Sequence, residues 1–410
     1  MTRLFPLITL LLATGVQAQN LDLLIRNGHV IDPKNGIDAV MDVGIADGKI
    51  AEVAAGIPVS RAETVIDASG LYVTPGLVDL HAHVFHGTEE DAYISNSYTS
   101  VPPDAFTFRS GVTTAVDVGS SGWRNLRQFI EQTVEHSDTR ILAFLNIVGS
   151  GMKGGTIEQN LADMDSKLTA MTARRYSDVV VGVKLAHYMG HEWEPTDRAV
   201  EAGRQANIPV MIDFGGADPT LSIRELFFDH LRPGDIFTHA YANLGSRESI
   251  VDEQGTLRPF VLDAQKRGIV FDVGHGGGSF MYSAALPATR AGLWPNTIST
   301  DLHTGSMNAG MKEITNVMSK FLNLGMPLND VIAATTWKPA EVIKRPTLGN
   351  LDVGAEADVA VFRLREGDFG FVDTRGFRVP GSRKLETELT VRAGNVMWDL
   401  NGISRPEWTE

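Results

Sequence analysis

The chain has no cysteine among its 410 residues. Disulfides and thiolate metal ligation are thereby excluded, so any metal must be held by nitrogen and oxygen. Positive charge is scarce: 36 Lys and Arg stand against 50 Asp and Glu, a formal net charge of −14. That balance argues against nucleic acid or an anionic membrane as partner, and solubility accounts for it. Beyond the first residues no segment holds about 18 uninterrupted apolar residues, so no membrane-spanning helix is expected. Short-period repeats and low-complexity tracts are also missing. The glycine-rich stretch Gly149-Ser150-Gly151-Met152-Lys153-Gly154-Gly155 lacks the spacing of a phosphate-binding P-loop and reads as a flexible active-site loop.

What is present is an ordinary globular composition, 43% hydrophobic and 21% charged. The length suits one large domain and a smaller one. Met1-Thr2-Arg3 makes a short basic start, Leu4 to Val16 an apolar stretch, and Val16-Gln17-Ala18 a small-residue cleavage pattern. Residues 1–18 therefore read as a secretory signal peptide, which predicts a periplasmic or secreted protein.

Both ends of the remaining chain are β-rich. Leu23–Asp32 and Asp42–Val53 read as pairs of short strands with turn signals at Asn27-Gly28 and Asp47-Gly48. Ala357–Phe362 and Leu389–Val396 look similar. Residues 19–73 and 346–410 are thus expected to pack as one small β-sandwich domain around a central domain, residues 74–345. In that centre, strand-like runs recur at Leu77–His83, Thr113–Val118, Ile141–Val148, Val179–Leu185, Val210–Phe214, Asp235–His239, Ile269–Val273 and Thr297–Asp301. Helical patterns lie between them, among them Ile130–His136, Ile157–Arg174, Asp197–Ala206 and Met311–Leu324. Strands alternating with helices imply an α/β protein with a parallel sheet, and eight of them predict a (β/α)8 TIM barrel.

Polar residues at the ends of these strands carry the chemistry. His81-Ala82-His83 closes the apolar run Tyr72–Leu80. Residues at i and i+2 of a strand share a face, so the two imidazoles project together as ligands for a divalent metal such as zinc. Strand four ends in Val181-Gly182-Val183-Lys184. A lysine buried there is costly unless paired or neutralised, whereas its carbamate supplies two oxygens able to bridge two metals. Strand six ends at Thr238-His239 and strand eight in Ser299-Thr300-Asp301. An aspartate in that place can bind metal and take a proton from attacking water. Singly, each residue has a plain structural role open to it, His239 as a hydrogen-bonded core histidine and Asp301 as a helix cap. Their ordered recurrence at strand ends favours a site.

With these motifs the chain resembles the amidohydrolase superfamily, in particular its exported amidohydrolase/deacetylase or dihydroorotase-like branch. The resemblance rests on the split terminal sheet, the "TPGLVDLHAH" entry to strand one and "GNLDVGAEADVAVF" at residues 349–362. It implies a binuclear site, most readily two zinc ions, with His81, His83, a carboxylated Lys184, His239 and Asp301 as ligands and Asp301 as general acid/base. The superfamily usually ends strand five in histidine, but this chain reads Pro209-Val210-Met211-Ile212-Asp213-Phe214. Asp213 occupies the ligand position; a mononuclear site, or His187 standing in, are the other readings.

Candidate substrate contacts are His187, Tyr188, His275 and His303, with Lys153 in the glycine-rich loop; His86 and Tyr98 lie along the first loop. Glycines around His275 would allow close approach to a ligand. The expected function is hydrolysis of an amide, cyclic amide or ester of a small molecule by hydroxide activated at the metal, with Asp301 relaying the proton. A metal-containing binding protein that has lost turnover is the alternative, motivated by Asp213. No feature isolates an interface, so homo-oligomerisation stays open.

Overall fold

The computed structural model describes residues 20–87, 99–213 and 219–409. The expected signal peptide, Tyr98 and the Phe214 end of the fifth strand lie outside them.

The chain opens with β1 (Leu21–Asp32), β2 (Ile37–Ala46), β3 (Lys49–Ala54), β4 (Ala62–Asp67) and β5 (Tyr72–Pro75). The centre contributes β6 (Leu77–Ala82), β7 (Val112–Gly122), β8 (Arg140–Asn146), β9 (Val180–Leu185), β10 (Val210–Ile212), β11 (Ile236–Phe237) and β12 (Val270–Phe271). The chain closes with β13 (Val359–Val372), β14 (Arg378–Arg392) and β15 (Asn395–Asp399).

Both ends join in one hydrogen-bonded sheet of order β15-β14-β13-β5-β1-β2-β3, with β4 also paired to β1. Leu23, Ile25, Val43, Val73, Val359, Val361 and Leu389 pack into its core. The two turn signals of the first segment part company here. Asp47-Gly48 is a two-residue hairpin turn between paired Ala46 and Lys49, with φ of 52° and 71°. Asn27-Gly28 does not turn the chain: β1 runs through it with a register slip between Ile25 and Gly28. The left-handed Asn27 (φ 59°) is held by Asp42 and Asp67, and a Cβ on Gly28 would meet Val73 Cγ2 at 2.3 Å. Glycine there serves close strand packing.

The seven central strands form a curled parallel sheet in sequence order. Val78, Leu80, Val116, Val118, Leu142, Phe144, Val181, Met211, Ile236 and Val270 fill one apolar cluster spanning the first strand to the last. The expected eighth strand, Thr297–Asp301, is not a regular strand. It lies between the sheet's two edges through single parallel bridges, Asp272 to Thr297 and Ala82 to Leu302. His275 N donates to Ser299 O (3.3 Å), and Leu302 N to His81 O (3.1 Å). Asp301 itself has φ 52°, which breaks extended geometry at the residue singled out for chemistry.

The helices shift for local reasons. The Ile157–Arg174 pattern is broken, and the α-helix is confined to Ser166–Arg175. Asn160 and Asp165 divert backbone N–H groups to their side chains, Asp165 capping Lys167 and Leu168. The next helix begins earlier than expected, at Glu194, because Pro195 suits a first turn. The first helix is Leu126–Gln132 rather than Ile130–His136, where only a short 3-10 turn (Val134–His136) remains, and the Met311–Leu324 pattern is helical from Ile314. Among the described residues, no helix is long and apolar enough to cross a membrane.

Candidate active site

His81 and His83 leave the end of β6 almost fully buried, 1% and 3% exposed. The Thr238 hydroxyl donates to Asp272 Oδ2 (2.7 Å), so its oxygen accepts from His81 Nδ1 at 3.0 Å. That relay assigns the His81 proton to Nδ1 and leaves Nε2 free as a lone-pair donor. His83 Nδ1 pairs with Ser120 Oγ at 3.0 Å. Both Nε2 atoms face Asp301 Oδ1, at 3.5 Å from His81 and 3.1 Å from His83. His239 follows β11 in left-handed backbone, φ 53°, and donates Nδ1 to Gly274 O at 2.5 Å. The ring centroids of His81 and His239 are 5.0 Å apart. His81, His239 and Asp301 each offer one ligand atom, all within 4.8 Å of one another.

Burial pushes His81 down to about 3, so it is a neutral imidazole at physiological pH. Burial opposes ionisation of Asp301, but His81, His83 and His303 outweigh it and hold the carboxyl well below the usual range. Asp213 behaves alike: burial is overcome by His239, Lys184 and His187. Its Oδ2 lies 3.5 Å from His239 Nε2 and 3.6 Å from His187 Nε2. His187 repeats the anchored pattern, with Nδ1 donating to the buried Glu158 carboxylate at 2.8 Å. Its backbone is also left-handed, φ 55°.

Lys184 is fully buried, and its Nζ meets the Met211 thioether at 3.5 Å. Burial lowers its pKa against the pull of Asp213, Asp301 and Asp272. Room for its stem comes from Gly119, where an added Cβ would meet Lys184 Cγ at 2.7 Å.

The residues expected to touch substrate divide. His187 joins the Asp213 group, and His303 Nε2 stands 3.8 Å from Asp301 Oδ2 at its edge. Tyr188 is turned to Glu192, with its hydroxyl donating to that carboxylate. Lys153 is half-buried in the glycine-rich loop. His275 is fully buried and stacked on Phe280, centroids 4.7 Å apart. Its Nε2 meets Lys320 Nζ at 2.6 Å and its Nδ1 meets Gly276 O at 2.9 Å. Both nitrogens are thus engaged inside the protein, and it is the backbone beside His275, Gly274 O, that serves the cluster by holding His239. Sequence reasoning passed over Glu158, Asp272 and Arg247. Asp272 sits directly after β12, a strand-end signal that was available; Glu158 lies in a short 3-10 turn, Ile157–Gln159, within the expected helical pattern, and Arg247 lies in a loop.

Residues 283–395 match the Amidohydrolase family. A deacetylase of Agrobacterium fabrum is 34% identical over 337 residues, 80% of this chain and 80% of that protein. An adenine deaminase structure superposes with a TM-score of 0.82 at 26% identity, covering 93% of this chain and 100% of that one. A dihydroorotase structure does so with a TM-score of 0.79 at 31% identity, covering 91% and 98%.

Proposed function

Since the chain belongs to the amidohydrolase family, we propose that it is a metal-dependent hydrolase of amide, cyclic amide or ester bonds in small molecules. The observation that carries this reading is the buried His81, His239 and Asp301 group, with His83 Nε2 3.1 Å from Asp301. The donor set fits a divalent ion such as zinc: His81 and His239 are tied off at Nδ1 with Nε2 open, beside carboxylates held ionised. His81, His83 and Asp301 would hold one ion; His239 and Asp213 would hold a second, with a carbamate on Lys184 between them. Burial favours the neutral amine of Lys184, the form that adds carbon dioxide.

When bound, the metal supplies Lewis acidity that polarises a carbonyl and acidifies water. Asp301, kept ionised, takes the proton from the attacking water and returns it to the leaving nitrogen or oxygen. Thr238 and Asp272 keep His81 in one tautomer, and Gly274 O does the same for His239. His303, beside Asp301, is placed to contact substrate at the rim.

We further read the curled sheet with segment 297–302 as a (β/α)8 barrel spanning residues 74–345, and the joined ends as its companion β-sandwich domain. Residues 1–18 would direct export to the periplasm or beyond; N-terminal sequencing of the mature protein reads cleavage after Ala18.

The test is elemental mass spectrometry on protein purified without chelator or affinity metal, with a hydrolysis panel of N-acyl amino acids, acetyl esters and cyclic ureides. About two divalent ions per chain are expected, with turnover lost on chelation and restored by zinc and bicarbonate. A metal-free protein that hydrolyses nothing after zinc and bicarbonate are added refutes the reading.

A further inference from the structure

A cavity of about 510 Å³ lies between β6, the segment before β7, the helix Ile314–Leu324 and the β13–β14 hairpin. Val78 and Leu80 face the apolar cluster inside the sheet, so Asp79 between them faces the other way, into this cavity. The candidate metal ligands are not in its lining, whereas Arg109, Lys312 and Lys384 are. Among the described residues, none of these three cationic heads is paired with a carboxylate or hydrogen-bonded. Other cations of the same hairpin are paired: Arg363 with Glu388 at 3.2 Å and Arg365 with Glu386 at 3.1 Å. Lys384 instead stands opposite Arg365 in the strand register, cation across from cation. Two carboxylates share the lining, and both are engaged. Asp79 accepts from Thr300 N (3.1 Å), the Thr300 hydroxyl and His81 N (3.3 Å), and Glu313 accepts from the Thr315 hydroxyl (3.0 Å).

Three cations against two occupied carboxylates leave this lining positive in a chain whose net charge is −14. Unpaired like charges around one concavity repel each other, and an anion seated among them removes the repulsion. The helix adds to the field: its N-cap, Glu313, makes no side-chain cap, and its first residue, Ile314, lines the cavity. The Arg109 guanidinium is a planar fork that matches two phosphate oxygens, and the two lysines act as point charges. A singly charged carboxylate would leave most of the positive charge unanswered. Phe106, Val112 and Met307 supply apolar wall for an organic group, and the volume is that of a small-molecule site.

We propose that this cavity is a binding site for a phosphate monoester of a small organic molecule, separate from the metal cluster. The phosphate takes Arg109, Lys312 and Lys384, and the organic group lies against Phe106 and Met307. Thr300 in the lining immediately precedes Asp301, and Met307 and Asn308 follow His303. A bound monoester therefore braces the segment 300–312, which runs along the edge of the metal cluster.

The test is calorimetric titration of the full-length protein with phenyl phosphate, inorganic phosphate and phenol. It is repeated on a Lys312→Gln, Lys384→Gln double variant and on Arg109→Gln, a change at an exposed position, with folding checked by urea unfolding. A His81→Ala, His239→Ala variant controls for phosphate taken up by the metal cluster. Phenyl phosphate is expected to bind once per chain, about tenfold tighter than inorganic phosphate, and phenol not at all. The double lysine variant should bind phenyl phosphate about 30–100-fold more weakly and Arg109→Gln about tenfold, while the histidine variant binds it as wild type does. Hydrogen exchange in wild-type peptides covering residues 300–316 should slow when phenyl phosphate is bound. Binding kept in the lysine variant and lost in the histidine variant would place the phosphate at the metal cluster and overturn the proposal. Equal affinity for phenyl phosphate and inorganic phosphate would mean a site for the free ion and overturn the monoester. Binding of phenol as tight as that of phenyl phosphate, or no binding of phenyl phosphate, overturns the site itself.

Discussion

Lys320 allows a quantitative contest between burial and hydrogen bonding. It sits in helix Ile314–Leu324 and is 1% exposed. Its Nζ meets His275 Nε2 at 2.6 Å, Gly310 O at 2.8 Å and Val372 O at 2.7 Å, above the Phe280 ring. One side chain thereby ties the β13–β14 hairpin to the loop whose Gly274 carbonyl holds His239. Burial pushes the amine from 10.5 down to about 7, with Asp373 opposing and Lys312 adding to the fall. His275, the titratable group it touches, is itself held neutral by burial. Between pH 7 and 10.5 the native chain therefore binds fewer protons than the unfolded chain, and stability rises with pH across that window. A group fully inside the window contributes about 1.4 kcal/mol per pH unit. The perturbation is Lys320→Met, which keeps the apolar stem and removes the titration. Urea unfolding curves at pH 7.5 and 9.5 should show wild type gaining about 2–3 kcal/mol relative to the variant. A difference that stays flat would show that the three acceptors keep the ammonium charged, and the argument from burial would be wrong.

The other expectations follow from the same geometry. Asp301→Asn, retaining its fold by circular dichroism, should lower kcat by about 10²–10⁴-fold on whichever substrate the panel identifies; a change under about tenfold would remove Asp301 as the proton relay. Zinc added to the chelated protein at about 100 times its Kd should stabilise it by about 3 kcal/mol, seen as a rise in Tm. The same zinc should leave the Tm of a His81→Ala, His239→Ala double variant unmoved, and an equal rise would place the metal elsewhere. Gly119→Ala should cost about 1–3 kcal/mol in urea unfolding, because its φ is +89° and its Cβ would meet Lys184 Cγ at 2.7 Å. No measurable loss would mean that the Lys184 stem is free to move aside.

Much of the framework was legible because strands announce themselves locally. Alternation and apolar runs place seven of the eight expected central strands, and the i, i+2 rule puts His81 and His83 at the mouth of the first. The eighth was legible only as a segment. Asp301 departs from extended backbone, and the bridges that hold it come from residues some 25 and 220 positions away in the chain. Asn27-Gly28 misled because the same dipeptide suits a hairpin and a bulge, and only Val73 across the sheet distinguishes them. His275 misled because glycines around a histidine suggest an open loop, whereas Lys320 and Phe280 enclose it.

The residue types and their order along the chain thus determined an α/β protein with nitrogen and oxygen donors gathered at strand ends. Which nitrogen of each imidazole is tied off, which carboxylates stay ionised and which carboxylate faces the buried Arg247 were decided by tertiary structure. Those properties depend on desolvation and on partners distant in sequence, such as Asp272 for His81, Glu158 for His187 and Asp213 for Arg247. A local pattern sets the direction in which a side chain points; only the folded surroundings set what it meets there.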